Sequence, residues 1–253
     1  MKAKLIEITH PNHSETLAEV IIQGGVVGAL WGHHLYFLAC NAMDRKAVER
    51  MNEIKGRSRT QVFASPGSHE EAEEFADIVK NKALLVSAKK MSMKPLEYLE
   101  FLFKKFPLAV ELFANSNAPP SVTFSTPRGK TIWIAGHLGD KIYSHFLKTV
   151  RNLRRNGKKV VFAGTSLNLK GANTLTVKDF DQVLVDFGDK INALSVYPNA
   201  ANLSKLKFST SSSGISFTGL KPRVLRIGAT SVLTLKKYIP DLQVPHNISS
   251  TRK

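Results

Sequence analysis

The sequence predicts an α/β fold in which a mixed parallel and antiparallel sheet is flanked by helices. Three observations lead there. From Lys4 to Lys105, short apolar runs alternate with amphipathic stretches. Between Leu108 and Ala135, strand-like runs follow one another with no helix between them, which implies antiparallel pairing. From Leu138 to Asn156, Ile142, Phe146, Val150 and Leu153 recur at helical spacing.

Taken in order, Lys4 to Thr9 alternates as an opening strand and is broken by Pro11. Ser14 is the expected N-cap of a helix that carries Leu17, Val20 and Ile21 and ends at Gly24-Gly25. Val26 to Leu30 and His34 to Ala39 read as buried strands about the Gly32 turn. Asp44 then caps a helix with Ala47, Val48, Met51 and Ile54 on one face, stopped by Gly56.

Gln61 to Ala64 reads as a short strand, and Ser65-Pro-Gly-Ser as a turn. Ser68-His-Glu-Glu-Ala-Glu-Glu opens a helix with carboxylates at its N-terminal end. Leu84 to Ser87 is expected as a strand, and Pro95 to Lys105 as a helix with Pro in its first turn. Ala109 to Phe113, Ser121 to Phe124 and Thr131 to Ile134 are the consecutive strands. After the long helix come strands at Val160 to Ala163, Ala193 to Tyr197, Lys205 to Phe208, Ile215 to Phe217 and Arg223 to Arg226. Thr176 to Phe180 begins a short helix, Ser209 to Ser213 is a hydroxyl-rich loop, and Ser231 to Tyr238 is a final helix. No repeat or low-complexity linker divides the chain, so one domain is expected over 1–240, with a polar tail over 241–253.

The 253 residues are enough for a substantial core, and 43% hydrophobic with 22% charged residues is ordinary for a globular protein. The balance of charge is not ordinary: 36 Lys plus Arg against 20 Asp plus Glu leaves a net charge of +16. Such an excess favours polyanions, nucleic acid foremost, without conferring specificity. A single cysteine, Cys40, excludes an intramolecular disulfide and any multi-cysteine metal centre, and fits a reducing compartment. Its apolar neighbours mark it as a small core residue. Met1 to Glu7 lacks a long apolar core, and the run from Val26 to Cys40 is interrupted by Gly28, Gly32, His33 and His34. A cytoplasmic protein with no membrane span is therefore expected. His33 and His34 are adjacent on a strand and point to opposite faces, so they do not make half of a metal site.

Two stretches carry candidate chemistry. Lys55 and Arg57 flank Gly56 at a helix C-terminus, where two cations can grip an anion or simply offset the helix dipole. Thr165-Ser-Leu-Asn168 follows an apolar strand and offers hydroxyls and an amide where ligands of α/β sheets are held, or serves as a capping turn. Facing each other, the two would form one polar pocket. Separately, Lys148, Arg151, Arg154, Arg155, Lys158 and Lys159 crowd the outer face and end of the long helix. Few aromatics interleave with them, so the expected contact is with RNA phosphates and shape.

In order along the chain, Ala47-Val-Glu-Arg-Met-Asn-Glu-Ile-Lys-Gly-Arg57, Ala163-Gly-Thr-Ser-Leu-Asn168, and Ser211-Ser-Ser-Gly-Ile-Ser216 with Pro222-Arg-Val-Leu-Arg-Ile-Gly-Ala229 resemble the YrdC-like domain of threonylcarbamoyl-adenylate synthases. The resemblance runs from about Gly24 to Ala229. It implies an open, twisted mixed sheet and a basic concave face linked to double-stranded RNA or tRNA. Enzymes of the family condense threonine, bicarbonate and ATP, with magnesium, into threonylcarbamoyl-adenylate and pyrophosphate for tRNA modification. The resemblance assigns Lys55 and Arg57 to the ATP phosphates and the bicarbonate-derived group. It assigns Ser166 and Asn168 to phosphate and substrate, and Ser212 and Arg226 to the nucleotide.

The chain also departs from the family. Leu30-Trp-Gly-His-His-Leu-Tyr36 stands where a Pro-Thr-acidic-Thr segment helps hold threonine. Leu108-Ala-Val-Glu replaces a Gly-Pro-Leu-Thr-like stretch, Ala135-Gly136 an arginine, and Ser216 an acidic residue. Two functions are therefore expected in competition. One is an RNA-binding protein that keeps a nucleotide pocket, with ATP and magnesium as its expected ligands. The other is an active synthase that holds threonine by another route.

Overall fold

The structure is a computed structural model that describes residues 2–31, 35–169, 173, 175–198 and 211–245. In chain order it begins with β1 (Lys4–Glu7), α1 (His13–Ile22), β2 (Val27–Trp31), β3 (Leu35–Asn41) and α2 (Arg45–Ile54). Next come β4 (Ser65–Pro66), α3 (His69–Phe75), α4 (Lys82–Lys90), α5 (Pro95–Lys105), β5 (Leu108–Phe113), β6 (Thr123–Thr126) and β7 (Gly129–Gly136). The rest is α6 (Lys141–Arg155), β8 (Phe162–Ser166), α7 (Phe180–Phe187), β9 (Ala193–Val196), β10 (Ser213–Ser216), β11 (Arg223–Arg226) and α8 (Val232–Tyr238).

The mixed α/β class is as the sequence predicts, but the strands are shared between two sheets rather than gathered in one. The first runs β1-β9-β2-β3-β8, parallel through β1, β9 and β2 and antiparallel from β2 to β8. The second runs β11-β10-β5-β7-β4, with β6 also paired to β7. The chain correspondingly divides into two compact units, Met1–Phe63 with Asp140–Ser209, and Ala64–Gly139 with Thr210–Lys253. Each holds one sheet.

In the first unit α1, α2 and α6 bury apolar faces. α1 and α6 pack together, and Phe37 of β3 meets Tyr143 and Phe146 of α6 edge-on. In the second, α5 fills the core with Tyr98, Leu99, Leu102 and Phe103, and the Tyr98 hydroxyl donates to the carbonyl of Tyr238 at 2.7 Å.

Several expected elements differ. Leu84 to Ser87, read as a strand, lies inside α4, whose Ala83, Leu84, Ser87 and Ala88 are buried at helical spacing. The apolar run Leu84 to Val86 satisfies both periods, and its flanking Lys and Ala residues favour the helix. Gln61 to Phe63 pair with no strand, Ala64 makes a single bridge, and β4 begins at Ser65. α1 starts two residues earlier than expected, with Asn12 at the N-cap position and Ser14 already inside and buried. β8 extends through Ser166, so half of the expected turn is strand. Gly32, His33, His34, Lys205 to Phe208, and residues 246–253 of the expected tail lie outside the described residues.

Candidate functional site

The site starts with the helix that delivers it. Asp44 accepts from the backbone N–H groups of Lys46 at 2.9 Å and Ala47 at 3.2 Å, capping α2, whose Ala47, Val48, Met51 and Ile54 are buried. The helix stops because Gly56 adopts φ +61°. A Cβ there would meet nothing within 4 Å, so backbone conformation rather than space calls for glycine. Gly56 N–H donates to Glu53 O and Arg57 N–H to Asn52 O. Asn52, fully buried, donates from Nδ2 to the carbonyls of Arg59 and Gln61, at 3.1 and 3.0 Å, and pins the chain beyond the turn.

This geometry sends Lys55 inward. Its side chain is 1% exposed, and Nζ donates to Ser166 O at 2.7 Å, Asn168 Oδ1 at 2.7 Å and the Asn168 carbonyl. The Ser166 hydroxyl donates to Asn168 Oδ1 at 2.7 Å. β8 holds these partners in place by pairing with β3, Phe37 opposite Ser166 and Leu38 opposite Thr165. The two stretches singled out in the sequence do face each other. An ammonium has three N–H groups, and here all three have acceptors.

Arg57 is the half-buried cation of this cluster. Its Nη1 lies 3.5 Å from Thr165 Oγ1, and its guanidinium sits 6.0 Å from the Phe63 ring centre. Burial, then the charge of Arg57, pulls the Lys55 pKa down to about 7, and burial also lowers that of Arg57. Lys55 therefore braces the Ser166–Asn168 end of β8, and Arg57 keeps N–H groups that can meet an anion.

The other predicted pair belongs to the second unit. Arg226 Nε donates to Ser212 O at 2.9 Å and Nη2 to Ser212 Oγ at 2.8 Å, and burial lowers the Arg226 pKa. The pair closes the open end of the β10–β11 hairpin. A Cβ on Gly228 would stand 1.9 Å from Ser211 O, so only glycine permits the close approach.

Residues 19–121 match the Sua5/YciO/YrdC family model, described as telomere recombination. Over those residues the chain resembles a YrdC-like domain. Its fold is similar to that of Sua5 from P. abyssi complexed with L-threonine, with a TM-score of 0.70 and 21% identity over 97% of this chain and 63% of that one. YciO from E. coli aligns at TM-score 0.63 and 16% identity, over 91% of this chain and 97% of its own. Full-length HypF in a phosphate- and nucleotide-bound form gives 0.58 and 17%, over 85% of this chain and 29% of that one. The chain thus spans just under two thirds of Sua5. At these identities the likeness is one of fold. No curated protein matches the sequence.

Elsewhere on the chain, α6 has Tyr143, Phe146, Leu147, Thr149 and Val150 buried, and Ile142 and Leu153 only half-buried at the edges of the stripe. Lys148, Arg155, Lys158 and Lys159 are exposed, whereas Arg151 and Arg154 are half-buried. In the departing segment, Tyr36 is buried and its hydroxyl donates to Ser195 O at 3.1 Å, so it belongs to the core. Ala135 and Gly136 lie in β7, where a Cβ on Gly136 would meet Gly67 O at 2.3 Å. Cys40 is buried, and burial raises its thiol pKa. Among the described residues no His, Cys, Asp and Glu cluster is placed to hold a metal ion, and no helix is long and apolar enough to cross a membrane.

Sequence reasoning missed Asn52, Thr165 as the neighbour of Arg57, and Phe63 beneath it. Asn52 left a signal: it stands four residues after Val48, on the buried stripe of α2. The other two depend on tertiary contacts.

Proposed function

We propose that the first unit binds a nucleotide, ATP with magnesium, at Arg57, Thr165, Ser166 and Asn168, and binds double-stranded RNA or tRNA through the basic outer face of α6. The observation that carries the nucleotide reading is the clamp of Lys55 on Ser166 and Asn168, which fixes the β8 end beside Arg57. In this reading Arg57 meets the phosphates, because its guanidinium has five N–H donors and one long contact to Thr165, whereas the Lys55 donors are taken. Lys55 contributes charge from below. The Ser166 hydroxyl and the Asn168 amide nitrogen give the site direction.

Support for the RNA reading is the net charge of +16 and the exposed Lys148, Arg155, Lys158 and Lys159 on one helix and its end. Backbone phosphates would supply the affinity. A second reading, L-threonylcarbamoyladenylate synthesis from threonine, bicarbonate and ATP, is favoured by the fold shared with Sua5 in complex with L-threonine. Against it stands Tyr36, whose hydroxyl is committed to Ser195 where the family carries threonine-holding residues.

Calorimetric titration of ATP with magnesium, with and without L-threonine and bicarbonate, separates the two. The binding reading predicts saturable ATP binding that threonine leaves unchanged and no pyrophosphate release. Pyrophosphate formation dependent on threonine and bicarbonate would establish the synthase, and absence of ATP binding would remove both.

A further inference from the structure

The second unit contains a basic cavity of about 610 Å³ that none of the predicted site residues lines. It lies at the Ser216–Arg223 end of the β10–β11 hairpin, away from Ser212 and Arg226. We propose that this cavity binds a compact oligophosphate anion, such as the phosphate chain of a nucleoside triphosphate, through Lys80, Lys82, Arg128 and Arg223 around the hydroxyls of Ser216 and Thr218.

Three separate segments bring the cations together. The turn before α4 and the first residue of that helix supply Lys80 and Lys82, and Asp77 accepts from the Lys80 backbone N–H at 3.1 Å. The Lys80 ammonium stands 4.6 Å from the centre of the Phe113 ring. Gly129, at φ +125°, leaves it room: a Cβ there would lie 3.3 Å from Nζ. The β6–β7 hairpin carries Arg128, whose Nη1 would lie 3.6 Å from a Cβ on Gly219. The loop from β10 to β11 then supplies Ser216, Thr218, Lys221 and Arg223.

The polar floor is preformed. Ser216 Oγ and Thr218 Oγ1 are 2.9 Å apart, and the Thr218 N–H donates to Ser216 Oγ at 3.3 Å. Facing it are five cations with Lys221 included, and no carboxylate is among the lining residues. None of the five forms an ion pair among the described residues. Of the nearby carboxylates, Glu111 accepts from Thr131 Oγ1, and Asp241 is paired with Lys90 while also feeling the charge of Lys221 at the cavity's rim. Single lysines on a surface are ordinary, but several cations converging on one concavity repel one another, and a multivalent anion relieves that repulsion. A cavity of this size fits a small ligand. Convergence also distinguishes it from a stripe that would follow a nucleic-acid backbone.

The test is calorimetric titration with inorganic tripolyphosphate, and separately with a short RNA duplex, against wild type, Arg128→Ala, Arg223→Ala, Arg223→Lys and Arg57→Ala. All three positions are exposed or half-buried, and circular dichroism checks the fold. Tripolyphosphate should bind saturably, weaken about tenfold or more in each of Arg128→Ala and Arg223→Ala, and keep most of its affinity in Arg223→Lys. Arg57→Ala, in the other unit, should leave this component in place, so failure of the Lys55 cluster and failure of this cavity read differently. Absence of saturable binding, or binding unmoved by both alanine variants, overturns the proposal. So does a result in which only RNA affinity falls.

Discussion

Lys55 does two things that its sequence position does not reveal. A lysine beside a glycine at a helix end is usually a solvated charge, yet here it is buried with three acceptors, two of them on Asn168, 113 residues away. Replacing it with methionine keeps most of the volume and strands those acceptors, so Lys55→Met should cost about 2–3 kcal/mol in urea unfolding. Its lowered pKa fixes a pH dependence. An anion at Arg57 favours the charged lysine, and the free protein loses that charge as pH rises through about 7. Nucleotide affinity should therefore fall across that range, with proton uptake on binding detectable as heats that depend on the buffer. The stability term has the opposite sense. Because the unfolded chain holds the proton up to about pH 10.4, the penalty for burying charge is full below about 7 and fades above it. The Lys-x-Arg spacing and the Ser166–Asn168 partner were legible in the sequence. The saturation of Lys55, on which the proposal that Arg57 alone meets the phosphates rests, was not, because it depends on where β8 ends.

At the scale of elements, local signals succeeded where a cap or a glycine marks an end. Asp44, Gly56 and Pro95 bound their helices as read, whereas Leu84 to Ser87 failed because three apolar residues fit two periods. Gln61 to Phe63 stays unpaired because Asn52 takes the carbonyls of Arg59 and Gln61. The packing of α1 on α6 carries its own prediction. His13 Nε2 meets Ser195 Oγ at 2.9 Å, Ser14 meets His145 at 2.9 Å, and Thr149 Oγ1 lies 3.5 Å from Glu15. Burial, followed by the charge of His145, lowers the His13 pKa to about 4, with Glu15 opposing and His10 adding to the shift. The unfolded chain takes up this proton first, so the first unit should lose stability as pH falls from about 6.5 towards 4. Thermal melts over that range should show a shallower decline in His13→Gln.

At the scale of the whole molecule, the charge of +16 was evident from composition, but its placement was not. The outer face of α6 and the cavity of the second unit are separate concentrations of cations, one on a helix read from the sequence and one assembled from three loops. The family resemblance predicted the α/β class, whereas the division of strands between two sheets emerged only with the pairing. If α6 contacts RNA phosphates, a Lys148→Ala, Arg155→Ala, Lys158→Ala triple variant should lower the slope of log affinity against log salt by about 2–3. An unchanged slope removes α6 from the RNA surface.

The most direct test of the central claim, that the Lys55 clamp presents Arg57 to a nucleotide, is ATP-magnesium titration of wild type beside Arg57→Ala. The account predicts saturable binding to the wild type and loss of the Arg57-dependent component in the variant, with the circular dichroism spectrum unchanged. Equal affinity in the two proteins would contradict it.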